Sequence, residues 1–462
     1  MLGVQLAALL DGEVPGVEET LDLVAGFDAA LVHGFARLDE EQAGRLAAVA
    51  GALRDTPLGP AVGEAVEKIT AGSIGDEHLG VLAGARTALF GAVHDARLGR
   101  LDAALGRSRA SWEEPASAPA ADGPLGASRS WLQELAITGW RGVDHDLVSA
   151  SDQAISALLG ESRLRRLAVL LDGLVAELRA SCPVATMDHV PARRWADLWA
   201  RALLLTQPGV QGVAEPVGVV SGRFLPLGVD VHEHGTAVQI QVHGVLEPAD
   251  GSSARLMRTS VAATKVDTIV GPALWRLLDG YPALLRALAE HRSADLADVP
   301  LTAAGDLLWR EDQATVGEPA DPFATARLRL ADALAPAVPP LERHPVRIAE
   351  PVLLEGYTIN GDTLDLDGNT LAVDLDRLPG CGPLTPELVA ASSACVGLLR
   401  WDGGRWLLQP LAVQATVKRK AVEAHGGDWA LGPTDPKVVK AEARAGDAVA
   451  VLRERAGRLL RK

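Results

Sequence analysis

The sequence predicts an α+β protein of several domains: a helical N-terminal half followed by two antiparallel β-containing units with interspersed helices. Three observations predict it. Apolar residues recur at three- and four-residue spacing through the N-terminal half. They alternate at period two in two later stretches. A run rich in Pro, Ala and Ser separates two helical blocks. With 462 residues, 48% hydrophobic and 23% charged, the chain has globular composition and the length of about three domains.

Residues 1–107 read as a helical domain. In EETLDLVAGFDAALVHGFARL, the residues Leu21, Val24, Phe27, Ala30 and Leu31 share one helix face. Asp39 precedes an acidic first turn, Pro57 and Pro60 punctuate the next junction, and Asp76 is the expected cap of a long helix through VLAGARTALFGAVHDARLGRLDAAL. Residues 108–127, SRASWEEPASAPAADGPLGA, form a Pro/Ala-rich linker open to proteolysis, with Trp112 an unusual member. Residues 128–207 return to helix. Trp195 and Trp199, four apart, share a face and are expected in the core.

Residues 208–270 form the first antiparallel β unit. A hairpin in LGVDVHEHGTAVQIQV, with its tip at His234-Gly235, sets Val231 opposite Val238, Val229 opposite Ile240 and Leu227 opposite Val242 on a buried face. Asp230 opposite Gln239 and His232 opposite Ala237 fall on the wet face, and His243 lies opposite Pro226. RLMRTSVAATKVDTIV adds a strand. Residues 271–345 read as a helical and irregular connection. Residues 346–415 form the second β unit. Its TLDLDGNTLAVDL hairpin turns at Gly368-Asn369, pairing Leu366 with Leu371 and Leu364 with Val373. A turn at Asp402-Gly403-Gly404 joins VGLLRW to RWLLQPLAV. No internal repeat is legible. Residues 416–462 form a basic tail with a C-terminal helix.

The formal net charge of −16 argues against broad phosphate-backbone binding, so nucleic acid is not the expected partner. From Gln414 onward, however, eleven Lys and Arg face six Asp and Glu, which suits an acidic protein partner. Three cysteines do not make a secreted disulfide framework. The N-terminus lacks the basic region of a signal peptide, and no apolar run reaches membrane-spanning length. A cytoplasmic protein without a membrane partner is expected.

The sequence contains no GxxxxGK[ST], HExxH, GxSxG or CxxC motif, and no GxGxxG after a strand. Two short patterns have metal-ligand character. His232 and His234 alternate onto one strand face but lack a third local ligand. Asp365 and Asp367 match two positions of a calcium loop whose first aspartate is replaced by Thr363 and whose flanks alternate like strands. The expectation is therefore no cofactor and no stoichiometric zinc or calcium. The candidate interaction residues are Arg400, Trp401, Arg405 and Trp406 around the Gly403-Gly404 turn, and Lys418, Arg419 and Lys420 in the tail. Trp and Arg anchor interfaces, although paired tryptophans also suit a core.

The phrases RWADLW (194–199), FLPLGVDV (224–231), KVDTIVG (265–271), GDLLW (305–309), LERHPVRIAEPVLLEGY (341–357) and LLRWDGGRWLLQPLAV (398–413) resemble a poorly characterised bacterial family of actinobacterial type. Its members are encoded beside MoxR-type AAA+ ATPases, von Willebrand factor A (VWA) proteins and SWIM zinc-finger proteins. The resemblance spans about residues 190–415 and carries no functional residue. It implies a setting: a non-enzymatic accessory or scaffold protein of such a system, with the ATPase and the VWA protein as partners. The alternative is an enzyme of hydrolase type whose residues converge only in three dimensions.

Overall fold

The computed structural model describes residues 1–12, 14–114, 123–207 and 216–459. Ten helices come first: α1 (Gly3–Leu10), α2 (Val17–His33), α3 (Glu40–Leu53), α4 (Gly59–Thr70), α5 (Asp76–Leu105), α6 (Gly123–Thr138), α7 (His145–Ser149), α8 (Asp152–Leu159), α9 (Arg165–Ser181) and α10 (Ala192–Leu205). Asp39 caps α3 as expected: its carboxylate accepts the Gln42 N–H at 2.8 Å, and the Gln42 side chain accepts from Asp39 N at 3.3 Å. Phe27, Phe35, Trp140, Trp195 and Trp199 belong to one core. The blocks on either side of the linker are thus a single helical domain. Trp195 and Trp199 are both buried, as their spacing predicts.

The linker is shorter than its composition suggests. Ala110 N donates to Ala335 O, and Ala335 N donates to Ser108 O, both at 3.0 Å. This tacks residues 108–110 onto the connector between the two β units. Residues 115–122 lie outside the described residues, and α6 begins at Gly123.

The first β unit extends further than the sequence suggests. It contains β1 (Pro216–Glu233), β2 (Ala237–Pro248), β3 (Arg255–Thr264), α11 (Pro282–Ala289), β4 (Arg292–Thr302), β5 (Asp306–Leu307) and β6 (Ala314–Pro319). The stretch 271–345, expected as a connection, therefore supplies strands. The long β1 pairs with β2 along one half and with β4 along the other. Since β3 runs parallel to β5 and β4 pairs with β5, the ring 1-2-3-5-4 closes on itself. A five-stranded closed barrel with a helix between its third and fourth strands has OB-type connectivity.

The second unit repeats this plan. After α12 (Pro322–Arg329) come β7 (Ala349–Glu355), β8 (Thr358–Asn360), β9 (Thr363–Leu366), β10 (Asn369–Val373), α13 (Pro386–Ala390), β11 (Ser392–Asp402) and β12 (Arg405–Val417). β7 and β8 are halves of one strand interrupted at Gly356, where φ is 76°. β8 pairs with β9 and β7 with β11, while β10 runs parallel to β12, so this ring closes too. The chain carries a topological repeat that its residues do not display.

Two registers differ from the expected ones by two positions. Val231 faces Ile240, Val229 faces Val242, Asp230 faces Gln241, His232 faces Gln239, and His243 faces Gly228. The turn is Gly235-Thr236. An even slip keeps the faces, so the valines and Ile240 still line the barrel core. Leu227 departs. A bulge between Pro226 and Gly228 turns it into a separate core between the two barrels. In the second barrel Leu371 faces Leu364 and Asn369 faces Leu366. The turn there is Asp367-Gly368, with φ of 55° and 82°, the left-handed pair of a type I′ turn.

The barrels abut closely. A Cβ on Gly228 would lie 2.6 Å from Leu411 Cβ, so only glycine fits. β13 (Lys420–His425) extends β12. The segment after it, with α14 (Pro436–Ala445) and α15 (Ala448–Leu459), folds back over the first barrel, and Trp429 and Val449 join that barrel's core. At the other end, α1 leaves the helical domain and packs Leu6 and Leu9 into the core of the second barrel with Leu366 and Leu371. Among the described residues, no helix is long and apolar enough to cross a membrane.

Candidate functional site

Strand alternation that sends Val229, Val231, Ile240, Val242 and Val261 into the first barrel sends Asp230, His232, Gln239, Gln241, His243 and Arg258 to its outer face. The registers set Asp230 beside Gln241, His232 beside Gln239, and His243 beside Arg258. The connector between the barrels crosses over this polar face. Between them lies a cavity of about 310 Å³ whose roof includes Val338, Glu342, Arg347 and Glu350. His94 of the helical domain, Arg109 just beyond it and Arg400 of the second barrel complete the wall, so all three bodies contribute.

The lining is a network of charges. Asp230 Oδ2 lies 3.0 Å from His232 Nε2, and Asp230 Oδ1 accepts from Gln409 Nε2 at 2.7 Å. Burial pushes the Asp230 carboxyl up, but His232, Gln409 and Arg400 outweigh it and hold it well below the usual carboxylate range. Glu350 receives Arg107 at 2.9 Å and Arg109 at 3.2 Å. Burial raises its carboxyl, and the two guanidiniums more than offset that. Arg258 pairs with Asp306 at 2.8 Å, while Arg347 lies a loose 3.5 Å from Glu342.

His243 is the outlier. It is buried, and among the described residues its Nε2 has no hydrogen-bond partner. Burial, with Arg258 nearby, pushes its imidazole down to about 3, so it is neutral at physiological pH. A neutral imidazole with an unmatched nitrogen can give or take one hydrogen bond from a ligand in the cavity.

His232 and His234 both line this cavity. Among the described residues, neither that pair nor Asp365 and Asp367 belongs to a three-ligand metal group. Asp365 instead accepts from Gly368 N at 3.0 Å, fixing its turn. Trp401 and Trp406 face each other at 5.3 Å inside the second barrel core. Arg400 is nearly buried and donates to Gln409 at 3.0 Å, and Arg405 is exposed at the turn. Lys418 and Arg419, with φ of 49° and 67°, make the exposed turn into β13, which starts at Lys420. Arg109, Arg258, Glu342, Arg347 and Glu350 escape sequence reasoning because they come from three stretches far apart in the chain. One signal was present: a polar strand face with three histidines and two glutamines is richer than solvation needs.

No protein-family model, no curated protein and no solved structure matches this chain.

Proposed function

We propose that the chain is a non-enzymatic binding protein whose roofed cavity takes a small anionic ligand, a carboxylate or phosphate ester. The observation that carries this reading is one cavity lined by Arg258, Arg347 and the unpartnered, neutral His243. Arg347 is half-exposed and only loosely committed to Glu342, so its guanidinium is available to an incoming anion. The connector crossing the face favours a small molecule over a polymer threaded along the strands. Recognition without chemistry suits an accessory or scaffold component, the role implied by the resemblance to proteins encoded beside MoxR-type ATPases and VWA proteins.

A second reading has one observation in its favour. The Asp230–His232 pair is the arrangement of a general base and its orienting carboxylate. Among the described residues the lining contains no serine, threonine, cysteine or lysine, so a hydrolase built here has to activate water. Calorimetric titration with inorganic phosphate, citrate and glucose 6-phosphate tests the first reading. Saturable binding of at least one is expected, weakened about tenfold or more in Arg347→Ala, the loss of one charge-assisted contact. No heat and no change in melting temperature with all three would rule it out. Turnover of p-nitrophenyl esters or phosphates that is lost in His232→Ala would establish the second.

A further inference from the structure

Away from the cavity, three side chains converge where the two barrels meet. His291 sits in the turn between α11 and β4 of the first barrel. His425 closes β13 of the second, and Asp428 follows it. One ligand atom from each lies within 4.8 Å of the others. The two imidazole centroids are 4.1 Å apart. His291 Nε2 is 2.8 Å from Asp428 Oδ1, and Asp428 Oδ2 accepts the His425 backbone N–H at 3.0 Å. The carboxylate is thus fixed from one side and turned to His291 on the other.

His425 carries the decisive detail. Its Nε2 is 2.7 Å from Glu423 Oε1, and Glu423 is itself held by Gln414 Nε2 at 2.7 Å. A proton on Nε2 leaves the lone pair on Nδ1. That nitrogen is buried and, among the described residues, has no hydrogen-bond partner. A buried nitrogen acceptor left unmatched is costly unless something else fills the role. A carboxylate gripping the far nitrogen of an imidazole is the outer-shell arrangement of metal-bound histidine. The two histidines also border a void of about 20 Å³, room for about one water-sized sphere. His291 and Asp428 are partly exposed while His425 is buried, which leaves a path for an ion to enter. His291 takes a left-handed φ of 48°, an uncommon conformation for a non-glycine residue and one that places its ring in this group.

We propose that His291, His425 through Nδ1, and Asp428 form a zinc site that clasps the two barrels, with Glu423 orienting His425. Two imidazoles and one carboxylate are a borderline donor set that suits zinc, and three protein ligands leave a fourth position for water. The ligands come from opposite barrels, 137 positions apart at the extreme, so bound ion is a cross-link between them. This site is independent of the anion cavity and stands or falls separately.

The full chain, stripped with chelator, is titrated with zinc chloride alone. One zinc per chain is expected by calorimetry and elemental analysis, with a rise in melting temperature that chelator reverses. Cobalt(II) in place of zinc is expected to give the visible absorption of a four-coordinate site. His291→Gln and Asp428→Asn remove ligands without opening the core, and each is expected to lower zinc affinity by a hundredfold or more and abolish the cobalt spectrum. Glu423→Gln is expected to weaken zinc about 10–100-fold, the usual effect of losing an outer-shell partner. Circular dichroism confirms that each variant is folded. No one-to-one zinc binding by the wild-type chain, or binding unchanged in both ligand variants, overturns the proposal. Tighter anaerobic binding of iron(II) than of zinc overturns the assignment of the metal.

Discussion

Arg86 Nε donates to Asp28 Oδ1 at 2.7 Å, with both side chains sealed in the middle of the helical domain. The other oxygen of Asp28 accepts from Arg193 Nε at 2.8 Å. One carboxylate therefore ties α2 to α5 and α10. Burial pushes the Asp28 carboxyl up against the pull of the two arginines. Its removal leaves the buried Arg86 with only the longer contact to Asp197, at 3.5 Å, as counter-charge. Asp28→Ala is expected to cost about 3–5 kcal/mol, measured as a lower urea midpoint. Arg193 is about half exposed, and Arg193→Ala is expected to cost about 1 kcal/mol or less.

The cavity face makes stability depend on pH. His243 is pushed down to about 3, below the ordinary imidazole value near 6.5. The unfolded chain therefore binds the extra proton over this interval. The contribution is complete above about pH 6.5 and is lost progressively as pH falls towards about 3. The Asp230 carboxyl is held below its ordinary value, so its contribution is present at neutral pH and lost as pH falls through the acid range. Denaturant unfolding of wild type between pH 7 and 4 is expected to show stability falling with pH. His243→Gln, which cannot titrate, is expected to flatten that slope, and an unchanged slope contradicts the assignment.

Gly228 and Leu411 define how closely the barrels approach. Gly228→Ala puts a methyl group 2.6 Å from Leu411 Cβ and is expected to cost about 1–3 kcal/mol through overpacking. The cost is expected to shrink in combination with Leu411→Gly, which removes the Cβ that the new methyl group meets. A double-mutant cycle with no coupling between the two positions would show that the barrels shift apart freely.

The two candidate tryptophans and their neighbouring arginine separate cleanly. Trp406 is buried against Trp401, and Trp406→Ala is expected to cost about 3–5 kcal/mol. Arg405 is exposed, and Arg405→Glu is expected to change stability by no more than about 0.5 kcal/mol. That makes Arg405→Glu a clean probe of partner capture, since any loss of binding then reflects the surface and not the fold.

Local patterns in the sequence were the readable part of this fold. Alternation exposed the faces of β1 and β2, because Val229, Val231, Ile240 and Val242 repeat at period two. Register was harder. Gly235 suits either a His234-Gly235 or a Gly235-Thr236 turn, and both keep the same residues inside. The strand β4 was missed because RSADLADVPLT mixes Asp295, Asp298 and Pro300 with its buried Ala294, Leu296 and Val299. It is held as a strand by pairing with β1 on one edge and β5 and β6 on the other, and that information is not local. The cavity and the proposed zinc group share this property. His291 and His425 have ordinary sequence neighbours, and only closure of one barrel and extension of the other bring them together.

The docking of α1 sets an order of events during synthesis. Asn369 Nδ2 donates to Gly3 O across 366 positions. At about 5–20 residues per second, the ribosome delivers the receiving strands on the order of 20–70 s after α1 has emerged. For that interval Leu6 and Leu9 have no second barrel to cover them, and the helix has only α5 to rest on, where Arg100 donates to Ala8 O at 3.0 Å and Leu98 and Leu101 join its apolar cluster. The helical domain can close its own core in the meantime, since its Phe and Trp cluster is complete by Leu205. The seam between α1 and the second barrel closes only once that barrel exists, so its attachment there reports that the distal barrel has folded.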